Sequence, residues 1–226
     1  MNSKVRSQSI LAASIIIGVL VIDQIIKLWI KMNFTLDESY RITDWFYLHF
    51  VENNGMAWGM TFFNKLILSV TRLFWIAVIT NYLFKVIKTG KERNIYVIFI
   101  AMVISGAFGN MIDSMLYGLM FSGASYDYVS YLVPFGTGYG SFLTGKVVDM
   151  FYFPLFSFNW PDWLPFIGGN RFEFFDAIFN FADASISCGV IGLLLFCTKD
   201  LEEVANDVET WWDRQKLNIK NLFSKK

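Results

Sequence analysis

The stretch "NIYVIFIAMVISGAFGNMI", residues 94–112, decides the fold, because it contains no charged side chain along its whole length. A helix needs about 20 mostly apolar residues to cross the hydrocarbon core of a bilayer. Three other stretches are nearly as apolar and carry few or no charges. We therefore predict four membrane-spanning helices, at about 7–30, 66–87, 94–116 and 180–198.

The composition is typical of a membrane protein. Of the 226 residues, 55% are hydrophobic, 19% aromatic and only 17% charged, which is too apolar for an ordinary soluble domain. Basic and acidic residues balance at 19 each without a basic patch, so we expect no nucleic-acid partner. No small-residue cleavage site follows the first span, so we expect this span to be retained rather than removed as a signal peptide.

The distribution of basic residues predicts the orientation in the membrane. Lysines and arginines precede the first span, fill the link between the second and third, and recur in the tail, 199–226. The segment 117–179 contains only two basic residues, Lys146 and Arg171. We therefore expect both termini to be cytoplasmic, with 31–65 and 117–179 facing outward in one single domain, 1–226. The tail is either an amphipathic helix on the membrane surface or a solvated helix.

Polar residues gather at the outer ends of the predicted spans and in the outward segments. Ionisable groups at membrane depth are costly and usually face a protein interior or a functional site. The sequence therefore predicts a site at the outer surface. Its candidate residues are Asp23, Lys27, Asn53, Gly55, Asn110, Asp113, Asp149, Asn180 and Asp183.

Several of these candidates also have a structural interpretation. Asn180 is a suitable N-cap for the fourth span, with Asp183 as the partner three residues later. Asp23 and the lysine four residues after it lie on one helix face and can form a plain ion pair. Asp113 can be the structural partner of a cation. Asp149 is harder to explain in this way, because it interrupts an apolar stretch in a predicted loop.

The residue inventory excludes several chemistries. His49 is the only histidine, and the sequence contains no H-E-x-x-H or G-x-S-x-G motif, which argues against a zinc hydrolase and a serine triad. No phosphate loop or dinucleotide fingerprint is present, and we expect neither a metal nor a cofactor. Two carboxylates in a partly dry site remain. One keeps a proton while the other is ionised, which is the arrangement needed for aspartyl hydrolysis of an amide.

Five motifs occur in order between about Asp23 and Gly189: "DQIIK", "NNGMAWG", "SGAFGNMID", "GKVVDMF" and "FNFADASIS". With them the sequence resembles the lipoprotein signal peptidase family, or signal peptidase II, of bacterial membranes, and in particular its Bacteroidetes branch. The resemblance implies an all-α membrane protein with four transmembrane helices and long external loops. It also implies a small outward-facing β-platform, which segment 40–58 is expected to supply.

The resemblance implies an aspartyl peptidase that removes the signal peptide from diacylglyceryl-modified prolipoproteins, just before the lipidated cysteine. It places this activity at the outer face of the bacterial cytoplasmic (inner) membrane, in contact with membrane lipid, and implies inhibition by globomycin-type cyclic peptides. The residues that match the family's catalytic pair are Asp149 and Asp183. Those that match its substrate site are Asn53, Gly55, Asn110 and Asn180, with Asp23, Lys27 and Asp113 as supporting residues.

The sequence departs from the family pattern in two ways. The family usually has Arg directly after the Asp of G-N-x-x-D, but here that position is Ser114. Asp113 is therefore expected to find another cation, or water, and the candidates are Arg72, Lys146 and Lys27. Two apparent insertions, 115–145 and 158–171, are expected either to cover the substrate as a lid or to pack at the membrane surface.

Two other functions remain open from the sequence. One is a small carboxylate-lined transporter, although carriers usually show internal repeats and charges near the membrane midplane. The other is a non-catalytic membrane assembly factor in which the aspartates are only caps and ion pairs. A peptidase requires the carboxylates of Asp149 and Asp183 to share one site, whereas a scaffold does not.

Overall fold

The computed structural model describes residues 2–54 and 65–203. The helices in this part are α1 (Ser3–Lys31), α2 (Lys65–Thr89), α3 (Asn94–Ile112), α4 (Gly118–Met120) and α5 (Phe181–Phe196), and a π-helical turn, Asp113–Tyr117, joins α3 to α4. The strands are β1 (Ser39–Thr43), β2 (Phe46–Asn53), β3 (Val147–Tyr152), β4 (Phe156–Asn159) and β5 (Arg171–Phe174).

Three helical segments are long and apolar enough to cross a membrane: Ser3–Lys31, Lys65–Thr89 and Asn94–Met120. The fourth predicted span corresponds to α5, which is apolar but has only 16 residues. Beyond it, residues 198–203 are helical, and the rest of the predicted amphipathic tail lies outside the described residues.

Three antiparallel strands form the platform, in the order β1-β2-β3. Segment 40–58 supplies most of β1 and all of β2, but the third strand comes from the "GKVVDMF" motif. The prediction that Asp149 lies in a loop was wrong, because Asp149 lies in β3 opposite Val51 of β2. Its neighbours Val148 and Met150 are fully buried and anchor the strand in the core.

The two insertions have definite structures. Most of 158–171 is the connection of a hairpin in which β4 pairs with β5, with Phe156 and Phe174 stacked at 4.7 Å between ring centroids. The segment 115–145 packs on the helices: Phe121 is fully buried, and the Ser69 hydroxyl of α2 donates a 2.8 Å hydrogen bond to the Leu143 carbonyl.

A close contact between α3 and α5 brings the third and fifth motifs together. A Cβ atom at Gly106 would lie 2.2 Å from the carbonyl oxygen of Ala182, and one at Gly109 would lie 2.7 Å from Asp23 Oδ2. Only glycine allows the first turn of α5 to pack this closely, so the position of Asp183 depends on Gly106 and Gly109.

Candidate active site

Asn180 contacts both predicted catalytic carboxylates. Its side-chain amide donates to Asp149 Oδ1 at 2.6 Å, and its backbone N–H donates to Asp183 Oδ2 at 3.3 Å. The Asp183 N–H in turn donates to Asn180 Oδ1 at 2.9 Å, which completes a capping box at the start of α5. The capping interpretation is therefore correct, and the same residue also joins the two carboxylates.

Two further asparagines contact the pair. The Asn110 amide donates to Asp183 Oδ1 at 2.7 Å, and the Asn53 amide donates to Asp149 Oδ2 at 3.1 Å. Asn110 Oδ1 also accepts a 3.0 Å hydrogen bond from the Asn180 amide. The structure thus brings five predicted site residues into one hydrogen-bonded group, whereas Gly55 lies outside the described residues.

Burial and charge act together on Asp149, which is only 2% exposed. Burial, and then the negative charge of Asp183, raise the pKa of Asp149 to about 7. The hydrogen bonds from Asn53 and Asn180 and the charge of Lys27 oppose this rise. Asp149 is therefore suited to hold a proton near neutral pH, while Asp183 is half-buried in the first turn of α5.

The predicted supporting residues form a buried ion cluster behind this group. Lys27 Nζ lies 2.9 Å from Asp23 Oδ2 and 2.9 Å from Asp113 Oδ2, and it donates a 2.8 Å hydrogen bond to Asn110 Oδ1. Asp23 Oδ1 accepts a 2.9 Å hydrogen bond from the Ala182 N–H. The cluster therefore connects α1, α3 and the first turn of α5.

Of the three cations predicted for Asp113, Lys27 is the one that contacts it. Lys146 instead lies 3.0 Å from Glu52 Oε2, and Arg72 lines a cavity on α2. Ser114, at the position of the usual arginine, donates its hydroxyl to the Asn110 carbonyl at 3.1 Å.

Three polar residues of this region were not predicted from the sequence: Gln24, Lys31 and Glu52. The Gln24 amide donates to Asp113 Oδ1 at 2.9 Å, and Lys31 forms a buried ion pair with Glu52. One signal was available for Lys31, because it follows Lys27 by four residues and lies on the same helix face.

A mostly apolar cavity of about 260 Å³ lies between α2, α3 and α5, and Asp183 is one of its lining residues. Asn110 of the candidate site also lines it. The remaining lining residues are Thr71, Arg72, Trp75, Ile76, Ile79, Ile104, Ala107 and Ile186. Such a cavity is suited to an apolar segment whose backbone lies near Asp183. Within the described part of the chain, no three or more His, Cys, Asp or Glu side chains are grouped to hold a metal ion.

The fold and this site define a multi-pass membrane protein in which Asn180 joins two aspartates beside an apolar cavity. The chain belongs to the signal peptidase II family, because the family described as "Signal peptidase (SPase) II" matches residues 15–199. The family predicted from the five motifs is confirmed, and membership makes the protein a peptidase.

Similar proteins agree with this assignment. The chain is 43% identical over 190 residues to a lipoprotein signal peptidase of Porphyromonas gingivalis, covering 84% of this chain and 83% of the relative. It is 32% identical over 181 residues to a lipoprotein signal peptidase of Amoebophilus asiaticus, covering 77% and 72%. The predicted resemblance to the Bacteroidetes branch is confirmed by the Porphyromonas relative.

Two solved structures described as bacterial membrane enzymes share the fold. One has a TM-score of 0.57 at 22% identity, and the match covers 85% of this chain and 90% of the solved one. The other has a TM-score of 0.56 at 23% identity and covers 84% and 93%.

Proposed function

We propose that the protein is an aspartyl endopeptidase that removes the signal peptide from diacylglyceryl-modified prolipoproteins, just before the lipidated cysteine. The names of its relatives support the substrate. The observation that supports the aspartyl mechanism is the contact of Asn180 with both Asp149 and Asp183. This shared contact favours the peptidase over the transporter and the assembly factor, neither of which requires the two carboxylates to meet.

The two carboxylates have different roles in the reaction. Asp183 accepts a proton from a water molecule, whose oxygen attacks the carbonyl carbon of the scissile bond. Asp149 donates its proton to the carbonyl oxygen, so the tetrahedral intermediate carries no net charge. The intermediate then collapses, the C–N bond breaks, and the proton held by Asp183 passes to the leaving nitrogen. The hydroxyl of the intermediate returns its proton to Asp149, which restores the starting state.

The asparagines orient these groups. Asn110 and Asn180 fix the two carboxylates through donated hydrogen bonds. Together with Asn53 they also hold the substrate backbone in an extended form, and Gly55 belongs to the same substrate site. The buried cluster of Asp23, Lys27 and Asp113 supports this arrangement from behind and does not touch the reacting atoms.

The length of α5 supports the membrane position that we propose. Its 16 residues span about 24 Å, which is shorter than the roughly 30 Å hydrocarbon core. We place α5 as the fourth span, with its Asn180 end just below the outer surface of the cytoplasmic membrane and both termini in the cytoplasm. The lipid chains of the substrate cysteine are anchored at that depth, so the scissile bond can reach the carboxylates. Globomycin-type cyclic peptides bind in the apolar cavity that ends at Asp183.

The test is cleavage of a diacylglyceryl-modified prolipoprotein by the full-length protein in detergent. Wild type, Asp149→Asn and Asp183→Asn are compared, with Asp127→Asn as the matched control because that carboxylate is exposed in the 115–145 segment. We expect cleavage before the lipidated cysteine by wild type and control, with or without EDTA, and none by the other two folded variants. Near-normal activity of either would remove that aspartate from the pair, and a wild type that never cuts would contradict the peptidase.

A further inference from the structure

A second buried ion cluster lies beside the site and is centred on Glu52. The Glu52 side chain is 1% exposed and forms ion pairs with Lys31, which is fully buried, and with Lys146, which is 36% exposed. The Lys31 ammonium also lies 5.3 Å from the ring centroids of Phe121 and Tyr139. A carboxylate so completely enclosed is held in one place by its partners.

This cluster is at the end of the strand that carries Asn53. Glu52 and Asn53 are the last two residues of β2, and they lie opposite Val148 and Val147 of β3. Lys146 directly precedes β3. The two ion pairs of Glu52 therefore join the end of β2 to the start of β3 and to the last residue of α1.

The side chains of Glu52 and Asn53 lie on opposite faces of the sheet. Successive side chains of a strand point to opposite faces. Glu52 lies on the face that carries the buried Phe50 and packs on α1, whereas Asn53 lies on the face of Asp149. Fixing Glu52 on one face therefore fixes the Asn53 amide on the other.

Tyr139 covers this cluster from the 115–145 segment. Its hydroxyl accepts a 2.7 Å hydrogen bond from the Lys146 N–H, and its ring centroid lies 5.7 Å from Lys146 Nζ. The segment thus shields the ion pairs from water, which strengthens them.

We propose that Glu52 is a positioning residue of the site: with Lys31 and Lys146 it clamps the end of β2 and so holds the Asn53 amide on Asp149 Oδ2. This inference rests on the proposed function, in which Asp149 is the proton donor. Asn53 itself is exposed and lies at the last position of its strand, where pairing frays most easily. Without the clamp, the 3.1 Å contact between Asn53 and Asp149 is lost for part of the time.

The consequence can be measured on Asp149. The Asn53 hydrogen bond lowers the pKa of Asp149, so its loss raises that pKa. The other charged groups that face Asp149 are Lys27 of α1, Lys65 and Arg72 of α2, and Asp183 of α5. The changes at Glu52, Lys146 and Asn53 leave these four side chains in place, although Lys146 also acts on Lys65 through its charge.

The experiment titrates Asp149 in the full chain without substrate. The Tm of each variant is measured from pH 5 to 9 with and without Asp149→Asn, and the pH dependence of the difference gives the pKa of Asp149. The variants are Asn53→Ala, Glu52→Gln and Lys146→Met. The last one keeps the pair of Lys31 with Glu52 and removes a partly exposed lysine, so it remains folded even if Glu52→Gln does not. Asp200→Asn breaks an ion pair with Arg93 far from the site and serves as the control.

We expect Asn53→Ala, Glu52→Gln and Lys146→Met to raise the pKa of Asp149 by about half a unit or more, and Asp200→Asn to leave it unchanged. The pH at which cleavage declines on the alkaline side of the profile then rises by the same amount. An unchanged pKa in Lys146→Met and in folded Glu52→Gln would overturn the clamp, as would an unchanged pKa in Asn53→Ala. Because the titration needs no cleavage, failure of the clamp is distinct from failure of the proposed function.

Discussion

Lys27 Nζ lies 2.9 Å from Asp113 Oδ2, and both side chains are completely buried. The same ammonium lies 2.9 Å from Asp23 Oδ2, so one lysine serves two carboxylates. The Val148 N–H donates to Asp113 Oδ2 at 3.3 Å, which connects the cluster to the strand of Asp149. Lys27 thus provides a cation for Asp113 where the position of the usual arginine is Ser114.

Replacing Lys27 by Met should destabilise the protein strongly. The change leaves Asp23 and Asp113 buried beside each other without a cation, and breaking a buried pair in this way typically costs about 3–5 kcal/mol. Thermal unfolding in detergent at pH 7 measures the effect as a large drop in Tm. The matched variant Asp23→Asn/Lys27→Met/Asp113→Asn removes all three charges and should recover part of the loss. A Lys27→Met protein that unfolds at the wild-type temperature would show that the cluster adds little to stability.

Asp149→Asn should stabilise the protein at high pH while abolishing cleavage. The pKa of Asp149 in the folded state, about 7, is above its ordinary value of 3.8, so folding takes up a proton between those two values. The folded wild type therefore loses stability as the pH rises from about 4 through about 7, and the neutral amide avoids this loss. Each pKa unit corresponds to about 1.4 kcal/mol, which sets an upper bound of about 4 kcal/mol.

The measurement is the Tm of wild type and Asp149→Asn at pH 5 and at pH 8. The two proteins should differ by several degrees more at pH 8 than at pH 5. Asp127→Asn, whose carboxylate is exposed, should follow wild type at both values. An equal difference at both pH values would mean that Asp149 does not titrate in this range.

Gly106→Ala should lower both stability and activity. A Cβ at Gly106 would lie 2.2 Å from the Ala182 carbonyl oxygen, so α5 has to move away and carry Asp183 with it. We expect a loss of more than about 2 kcal/mol in the free energy of unfolding. The control is Gly18→Ala in α1, where a Cβ meets nothing within 4 Å and alanine is the better helix former by about 1 kcal/mol. Equal Tm and cleavage rates for the two variants would show that the close packing of α3 and α5 is not required.

The sequence predicted the three long apolar helices, because uncharged runs such as 94–112 can be recognised without any knowledge of packing. It did not predict β3. The motif "VVDMFY" is buried along most of its length and therefore lacks the alternation of polar and apolar residues that marks a half-exposed strand. Asp149 looked like a loop residue because its strand partner, Val51, comes far earlier in the chain.

The site was predicted from residue types and motif order, and the polar contacts that hold it together were not. The Asp23–Lys27 pair was predictable because its members are one helical turn apart. The pairing of Lys146 with Glu52, and of Lys27 with Asp113, joins segments that are far apart in the chain. The fold determines such partners, so the sequence alone could not distinguish Lys146 from Lys27 as the cation that pairs with Asp113.

Asn180 has two roles that substitutions can separate: it is the N-cap of α5, and it donates a hydrogen bond to Asp149. Asn180→Ser keeps an oxygen that can accept from the Asp183 N–H, but a serine side chain is too short to replace the amide on Asp149. Asn180→Ala loses both contacts. We expect the serine variant to be more stable than the alanine variant by about 1 kcal/mol, which thermal unfolding measures. Both should lose cleavage by about 100-fold or more, because neither positions Asp149. If Asn180→Ser instead cuts the prolipoprotein at nearly the wild-type rate while Asn180→Ala does not, the cap alone accounts for Asn180, and the junction between the two carboxylates has to be assigned to Asn110.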